Sequence, residues 1–346
     1  MNTDWLHQAA QTIDAQSTQA ALKRQACLTK PPGSLGQLES LAVRFAGMQG
    51  RAIARMEQIT LRVFAADHGV AAQGVSAFPQ SVTAQMVENF CQGGAAICVL
   101  AQSLGADFKV VNLGCVREIN DRVGLVNTPI APATQDFSQT CAMSDSQLAT
   151  ALSAGRGQVV CDADLFIGGE MGIGNTTAAS ALLAALFELP SESIVGRGTG
   201  VDDAALQKKC ELIDRALALH SGKCNDPLAL LGALGGFEIA ALVGAYIRCA
   251  QIGVPVLVDG FITTAAAAVA LNINPSIQPW LVYSHLSNES GHQTVLATLD
   301  ATPILSLDMR LGEGSGAALA AGVIRQALLL HASMATFAEA GVAGAD

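Results

Sequence analysis

The stretch LDMRLGEGSGAALA, Leu307 to Ala320, sets a single carboxylate, Glu313, between Gly312 and Gly314, directly ahead of an alanine-rich helical run. Glycines on both sides strip steric cover from the acid and let a ligand come close to it, an arrangement that suits proton transfer. A solvated loop glutamate is the other reading of the same residues. Under a helix N-terminus, the Glu313 charge is expected to be stabilised, with burial beside a ligand requiring compensating contacts.

A second candidate is GGEMGIGNTTAAS, residues 168–180, between a strand-like run and a helix-like one. Gly172, Gly174, Asn175, Thr176 and Thr177 can point backbone N–H groups and hydroxyls at an anion, which makes a phosphate cradle. The segment lacks the lysine of a P-loop and the full GxGxxG spacing, so neither a nucleoside-triphosphatase nor a dinucleotide site is supported. A tight strand-to-helix turn without ligand uses the same residues. The cluster VGRGTGVDDAALQKK, 195–209, leads into a helix starting at Asp202 or Asp203 that carries Lys208 and Lys209. Together the two clusters can hold a phosphate and a ribose; alone, the second reads as a solvated helix with surface lysines.

His68 lies in ADHGV, and His285 and His292 in SHLSNESGH. No histidine pair sits at i, i+4 and no cysteine pair accompanies them, so local hydrogen bonding is favoured over metal ligation, with a direct substrate contact as the minor reading. In GVSAFPQSVTAQMVENF, 74–90, Phe78 and Met86 stand among Ser76, Gln80 and Thr83. That mixture can line a slot for a planar ring, or Phe78 and Met86 can simply pack in the core.

The elements that must position these residues are legible as short apolar runs, each ending in Gly or Asp or at a polar segment. ITLRVFAAD (59–67), DFKVVNLG (107–114), ADLFIGG (163–169), VPVLVDG (254–260), WLVYSHL (280–286) and PILSLDM (303–309) predict strands alternating with helices. Near-continuous apolar strands of this kind form a parallel sheet covered on both faces, an α/β fold, with ligands gathering beyond the carboxyl ends of the strands. ADHGVAAQGVSAFPQSVT, GGEMGIGNTTAAS, VDGFITT, SHLSNESGH and RLGEGSGAA lie just past such ends.

The first 50 or so residues read as helical, with Leu35, Leu38, Leu41 and Ala42 on one face. TKPPGSLGQLE breaks them: Lys30-Pro31-Pro32-Gly33 must be extended or turned, and Ser34 is expected to cap the next helix. The terminal helix, about 316–333, has no strand after it and is expected to pair with the N-terminal helices. The division is then a small helical domain, 1–58 with 316–346, beside a large α/β domain, 59–315.

A chain of 346 residues, 51% of them hydrophobic, can bury a large core. A net charge of −10 without any run of Lys or Arg excludes an extended nucleic-acid contact. The nine cysteines are scattered without a CxxC pair and read as buried thiols in a reducing cytoplasm. The N-terminus lacks the basic and apolar regions of an export signal. No membrane span is expected, because the apolar runs are short or, near the C-terminus, interrupted by Arg325 and Gln326.

KPPGSLGQLE, ADHGV, GEMGIGNTT, LGGFEIAALVGA, VDGF and RLGEGSGAALA occur in this order along nearly the whole chain. Together they resemble the nicotinate-nucleotide:dimethylbenzimidazole phosphoribosyltransferase family. The resemblance implies a homodimer whose large domain is Rossmann-like and whose small helical domain comes from both chain ends. It implies transfer of 5-phosphoribose from nicotinate mononucleotide to 5,6-dimethylbenzimidazole, in the assembly of the cobalamin nucleotide loop, without a cofactor or metal. By the same resemblance Glu313 is the catalytic base. Glu170, Gly172, Asn175, Thr176 and Lys209 fall in the nucleotide and phosphate region, and Phe78, Met86, Met171 and Leu311 in the base pocket. An apolar slot of that kind discriminates modestly among planar bases, since a methyl-sized difference is worth only about 1–3 kcal/mol.

Two further readings use the same glycines. An NAD-dependent oxidoreductase needs a glycine fingerprint with an acidic residue roughly 20 positions on, whereas the glycines here come late and irregularly. A non-catalytic nucleotide-binding protein would hold nicotinate mononucleotide without releasing nicotinate.

Overall fold

The structure, a computed structural model, describes residues 3–196 and 203–343; Gly198, Gly200 and Asp202 of the second glycine cluster lie outside the described residues. Six strands form one parallel sheet: β1 (Ile59–Ala66), β2 (Asp107–Gly114), β3 (Leu125–Asn127), β4 (Leu165–Met171), β5 (Val256–Val258) and β6 (Leu281–Tyr283), in the order β3-β2-β1-β4-β5-β6. β1 is buried along its whole length, as a central strand covered on both faces must be. The order reverses direction between β1 and β4, which leaves a crevice at their carboxyl ends, the Rossmann-like topology.

Around the sheet run α1 (Ala15–Cys27), α2 (Gln37–Gln49), α3 (Ser81–Gln92), α4 (Ala96–Leu104), α5 (Asp145–Gly157), α6 (Asn175–Phe187) and α7 (Ser191–Ile194). They are followed by α8 (Asp203–Leu219), α9 (Pro227–Leu234), α10 (Phe237–Ile252), α11 (Phe261–Ile273), α12 (His292–Thr298), α13 (Ser315–Ser333) and α14 (Phe337–Ala340).

Four local expectations need correction. WLVYSHL does not form one strand: it breaks at Ser284 into β6 and a two-residue strand, β7 (His285–Leu286). β7 pairs with β8 (Leu305–Ser306) in a separate ribbon, so PILSLDM stays out of the main sheet. Ser34 does not cap α2, which starts from Gly36 in the left-handed region (φ 55°). Glu39, inside the first turn, instead reaches back to the N–H groups of Gly33 (3.3 Å) and Leu35 (3.0 Å) and pairs with Lys30 at 2.8 Å. The cysteines are all free, but Cys27 and Cys161 are exposed rather than buried.

α13 is long and apolar enough by composition to cross a bilayer, yet ten of its residues are buried and it packs on α2 and α4. Its C-terminal end lies beside α1: Arg24 donates to the carbonyls of His331 (2.7 Å) and Ala332 (2.8 Å), and Leu28 bridges Thr336.

At the crossing of α5 and α10, backbone meets backbone. A Cβ on Gly155 would strike the Ala241 carbonyl oxygen, and one on Gly244 the Leu152 carbonyl oxygen. Both glycines are needed for that approach, so Gly244→Ala is expected to lower the unfolding free energy by at least roughly 1–3 kcal/mol. An unchanged urea midpoint would show that the two helices can separate without cost.

Candidate active site

The loops at the carboxyl ends of β4, β5 and β7 and the loop before α13 enclose a cavity of about 280 Å³. Glu170 closes β4, and Gly172, Ile173, Asn175 and Thr176 form the turn into α6. Gly260 to Ile262 enter from the start of α11; His285, Ser287 and Glu289 from β7 and its continuation; Arg310 to Glu313 from the loop ahead of α13.

Glu313 sits in a run of three left-handed residues, with φ of 80° at Gly312, 64° at Glu313 and 85° at Gly314. A non-glycine residue in this region is strained, by about 1–3 kcal/mol, and persists only where its surroundings hold it. Here the Glu313 N–H donates to Glu170 Oε1 at 3.4 Å, and a Cβ on Gly312 would fall 2.5 Å from that same oxygen. The Glu313 carbonyl lies where a Cβ on Gly169 of β4 would be, so that strand must carry glycine there. The flanking glycines thus serve the turn and its approach to β4.

The helix N-terminus belongs to a different carboxylate. Asp259, buried at the end of β5, accepts from the N–H groups of Gly314 (3.1 Å) and Ala317 (2.7 Å). Glu313 lacks that stabilisation, contrary to the sequence expectation. Burial, and secondarily the Asp259 charge, push its carboxyl up to about 7. Glu170 is held well above the ordinary range by burial, then by Asp259 and Glu238, while the Asn175 side-chain amide donates to its Oε2. Burial also raises Asp259, opposed by His285 and the α13 amides.

Of the residues expected from the sequence, Glu313, Glu170, Gly172, Asn175, Thr176, Phe78, Met171 and Leu311 line this one cavity. Phe78 and Leu311 are each about half exposed, at 51% and 56%, so they stand at its rim. Met86 is not in the wall; it is half-buried on α3 and packs against the core. Thr177 is buried away from the cavity, and Gly174 supplies the left-handed N-cap of α6. Lys208 is exposed, but Lys209 is buried, with Nζ donating to Thr176 Oγ1 (3.0 Å) and to the Gly196 carbonyl (3.3 Å). Burial pulls its ammonium down to about 8. It reaches the cavity through Thr176.

The three histidines bond locally. His68 Nε2 meets Glu238 Oε1 at 2.6 Å, His285 Nδ1 meets Ser284 Oγ at 2.9 Å, and His292 Nε2 meets Thr264 Oγ1 at 3.0 Å. His285 also lines the cavity. Sequence reasoning did not single out Asp259, Ser287, Glu289 and Arg310. Asp259 could have been found as the acid that ends the strand run VPVLVD. His285, Ser287 and Glu289 alternate as residues on one face of an extended segment do.

A buried carboxyl poised near neutrality, a glycine-containing turn backed by a lysine, and an apolar rim are chemically suited to proton removal from a planar ligand beside an anionic one. The family model described as phosphoribosyltransferase matches residues 10–342. A protein of Xanthomonas euvesicatoria pv. vesicatoria named nicotinate-nucleotide--dimethylbenzimidazole phosphoribosyltransferase is 53% identical, with all of both chains covered. A Pseudomonas putida protein of the same name is 51% identical over 99% of each. The crystal structure of CobT from Thermus thermophilus superposes with a TM-score of 0.91 at 43% identity, covering 95% of this chain and 100% of that one.

Proposed function

The chain belongs to the phosphoribosyltransferase family whose full-length relatives carry the name nicotinate-nucleotide--dimethylbenzimidazole phosphoribosyltransferase, and from that premise we infer its reaction and the residues that perform it. It transfers 5-phosphoribose from nicotinate mononucleotide to 5,6-dimethylbenzimidazole, giving α-ribazole 5'-phosphate and nicotinate, a step of cobalamin biosynthesis. The observation that carries the assignment of roles is Glu313: a carboxyl held up at about 7 that lines one cavity with the turn 172–176 and the apolar rim residues.

The nicotinate ring in its nucleotide is a cationic pyridinium, so it leaves C1' as a neutral ring and needs no acid. The attacking benzimidazole nitrogen uses its lone pair, and the other ring nitrogen must then lose its proton. Glu313 accepts that proton, and one base suffices. Attack from the face opposite the leaving group turns a β-nucleotide into an α-product. Thr176 and Lys209, with the turn that begins at Gly172, hold the phosphate; Phe78, Met171 and Leu311 bracket the incoming base. Holding both reactants at one carbon supplies much of the remaining acceleration.

The small domain built from 1–58 with 316–346 and the homodimer belong to the same proposal. The Arg24 and Leu28 contacts to the far chain end support the first, and the exposed Leu311 and Phe78 at the cavity rim give a second copy apolar surface to cover. A cytoplasmic enzyme is expected. The direct test incubates the protein with nicotinate mononucleotide and dimethylbenzimidazole and separates the products by chromatography. α-Ribazole phosphate and nicotinate should appear in equal amounts; a protein that binds the nucleotide and releases no nicotinate would sink the assignment.

A further inference from the structure

This inference rests on the transfer proposed above and concerns which group reads the ribose. The segment starting at β7 turns alternate residues, His285, Ser287 and Glu289, to the cavity. At one end the His285 ring lies against Gly316, three residues past Glu313; at the other, Glu289 abuts Gly196, whose carbonyl accepts from Lys209. A nucleotide with its reacting C1' at Glu313 and its phosphate toward Lys209 therefore lays its ribose along His285 and Ser287. The hydroxyl next to C1', the 2'-hydroxyl, falls at the His285 end.

The hydrogen bonds fix which nitrogen of His285 carries the proton. Ser284 has one hydroxyl hydrogen, and it goes to the Asp259 carbonyl, 2.8 Å away, since a carbonyl can only accept. Ser284 Oγ must then accept from His285 Nδ1 at 2.9 Å, so Nδ1 is protonated, with the Asp259 carboxylate 3.9 Å from it. With the ring's one proton on Nδ1, Nε2 is left as a lone pair on a residue that lines the cavity. The same reasoning gives His292 the opposite tautomer. Its Nδ1 accepts from the Ser287 N–H (2.9 Å), and its Nε2 donates to Thr264 Oγ1, whose own hydrogen goes to the Gly260 carbonyl (2.7 Å). His292 thus fixes the Ser287 and Gly260 backbones on either side of His285.

We propose that His285 accepts a hydrogen bond at Nε2 from the ribose 2'-hydroxyl and that this bond strengthens in the transition state. As the pyridinium departs, C1' gains positive charge and the adjacent hydroxyl becomes a better donor. An acceptor already in place binds that state more tightly than the ground state. No proton changes owner, so the reaction stays balanced with Glu313 as the base.

Three enzymes and two substrates test this: wild type, His285→Asn and His285→Gln, each with nicotinate mononucleotide and its 2'-deoxy analogue. The asparagine amide reaches the Nδ1 position only, whereas the glutamine amide reaches the Nε2 position. His285→Asn is expected to lower kcat/KM for the ribonucleotide by roughly 10- to 100-fold, to change the value for the deoxy analogue little, and to be largely restored by glutamine. An equal loss on both substrates, or no loss on either, overturns the inference while leaving the transfer intact. A wild-type protein that makes no α-ribazole phosphate overturns the transfer itself and the inference with it. Should the variants fail to fold, 15N spectra of the wild-type imidazoles decide: a proton on Nδ1 of His285 and on Nε2 of His292 supports the assignment, and an Nε2 proton on His285 refutes it.

Discussion

Replacing Glu313 by Gln is expected to lower kcat for α-ribazole phosphate formation by roughly 10²- to 10⁴-fold, the usual worth of a positioned general base. Gln keeps the shape and the left-handed turn while losing the proton acceptor, so KM for both substrates should change far less than kcat. Because the wild-type carboxyl is held up at about 7, it is mostly ionised only above that pH. The acid limb of kcat/KM should therefore fall tenfold per unit below about 7, and the limb should vanish in the variant. Near-normal turnover by Glu313→Gln would remove Glu313 from the role.

The same shift fixes the sign of a stability effect. A carboxyl whose folded value lies above its ordinary 4.5 contributes most below 4.5, where it is protonated in both states, and that contribution is lost as pH rises through about 7. Glu313→Gln should consequently be more stable than wild type at pH 8, by at most about 3 kcal/mol, with the advantage shrinking toward pH 5. Thermal melts at the two pH values check it. A less active, more stable variant is the trade expected where a functional group sits in an unfavourable place.

This site shows which features a single sequence exposes. Glycines around a lone acid marked Glu313, and apolar runs ending in polar residues marked the strands whose carboxyl ends build the cavity. Both are local signals. The sequence put Glu313 under the α13 dipole, but the amides there are taken by Asp259, 55 residues from Gly314 in sequence and brought beside it only because β5 ends under that helix. Ser284 could not be read as a strand break from its type: it takes its place because its hydroxyl bonds the Asp259 carbonyl and its own carbonyl accepts from Ile304 and Leu305. β3 was missed because three half-buried residues carry no period. Met86 and Phe78 looked alike in sequence, yet the turn of α3 carries Met86 to the core and leaves Phe78 in the loop before it.

Lys209 is the other residue whose loss should be large, and its burial is the reason. An exposed lysine beside a phosphate is worth little, because water and salt screen it. Lys209 is 1% exposed and has no carboxylate within ion-pair distance among the described residues; two of its three N–H groups go to Thr176 Oγ1 and the Gly196 carbonyl. Burial pulls its ammonium down to about 8 although the Glu289 charge opposes the shift, so the cation is only partly compensated, and a phosphate seated at Thr176 would supply what is lacking. Lys209→Met should raise KM for nicotinate mononucleotide by about 10- to 100-fold, the cost of a charge-assisted hydrogen bond. The phosphate is remote from C1' and gains no charge in the transition state, so kcat should fall much less, in contrast to Glu313→Gln. In the wild type, nucleotide affinity should weaken as pH rises through about 8 and the cation is lost; the variant should show no such limb. Initial-rate measurements against nucleotide concentration at pH 7 and pH 9 separate the two variants, and an unchanged nucleotide KM in Lys209→Met would place the phosphate elsewhere in the cavity.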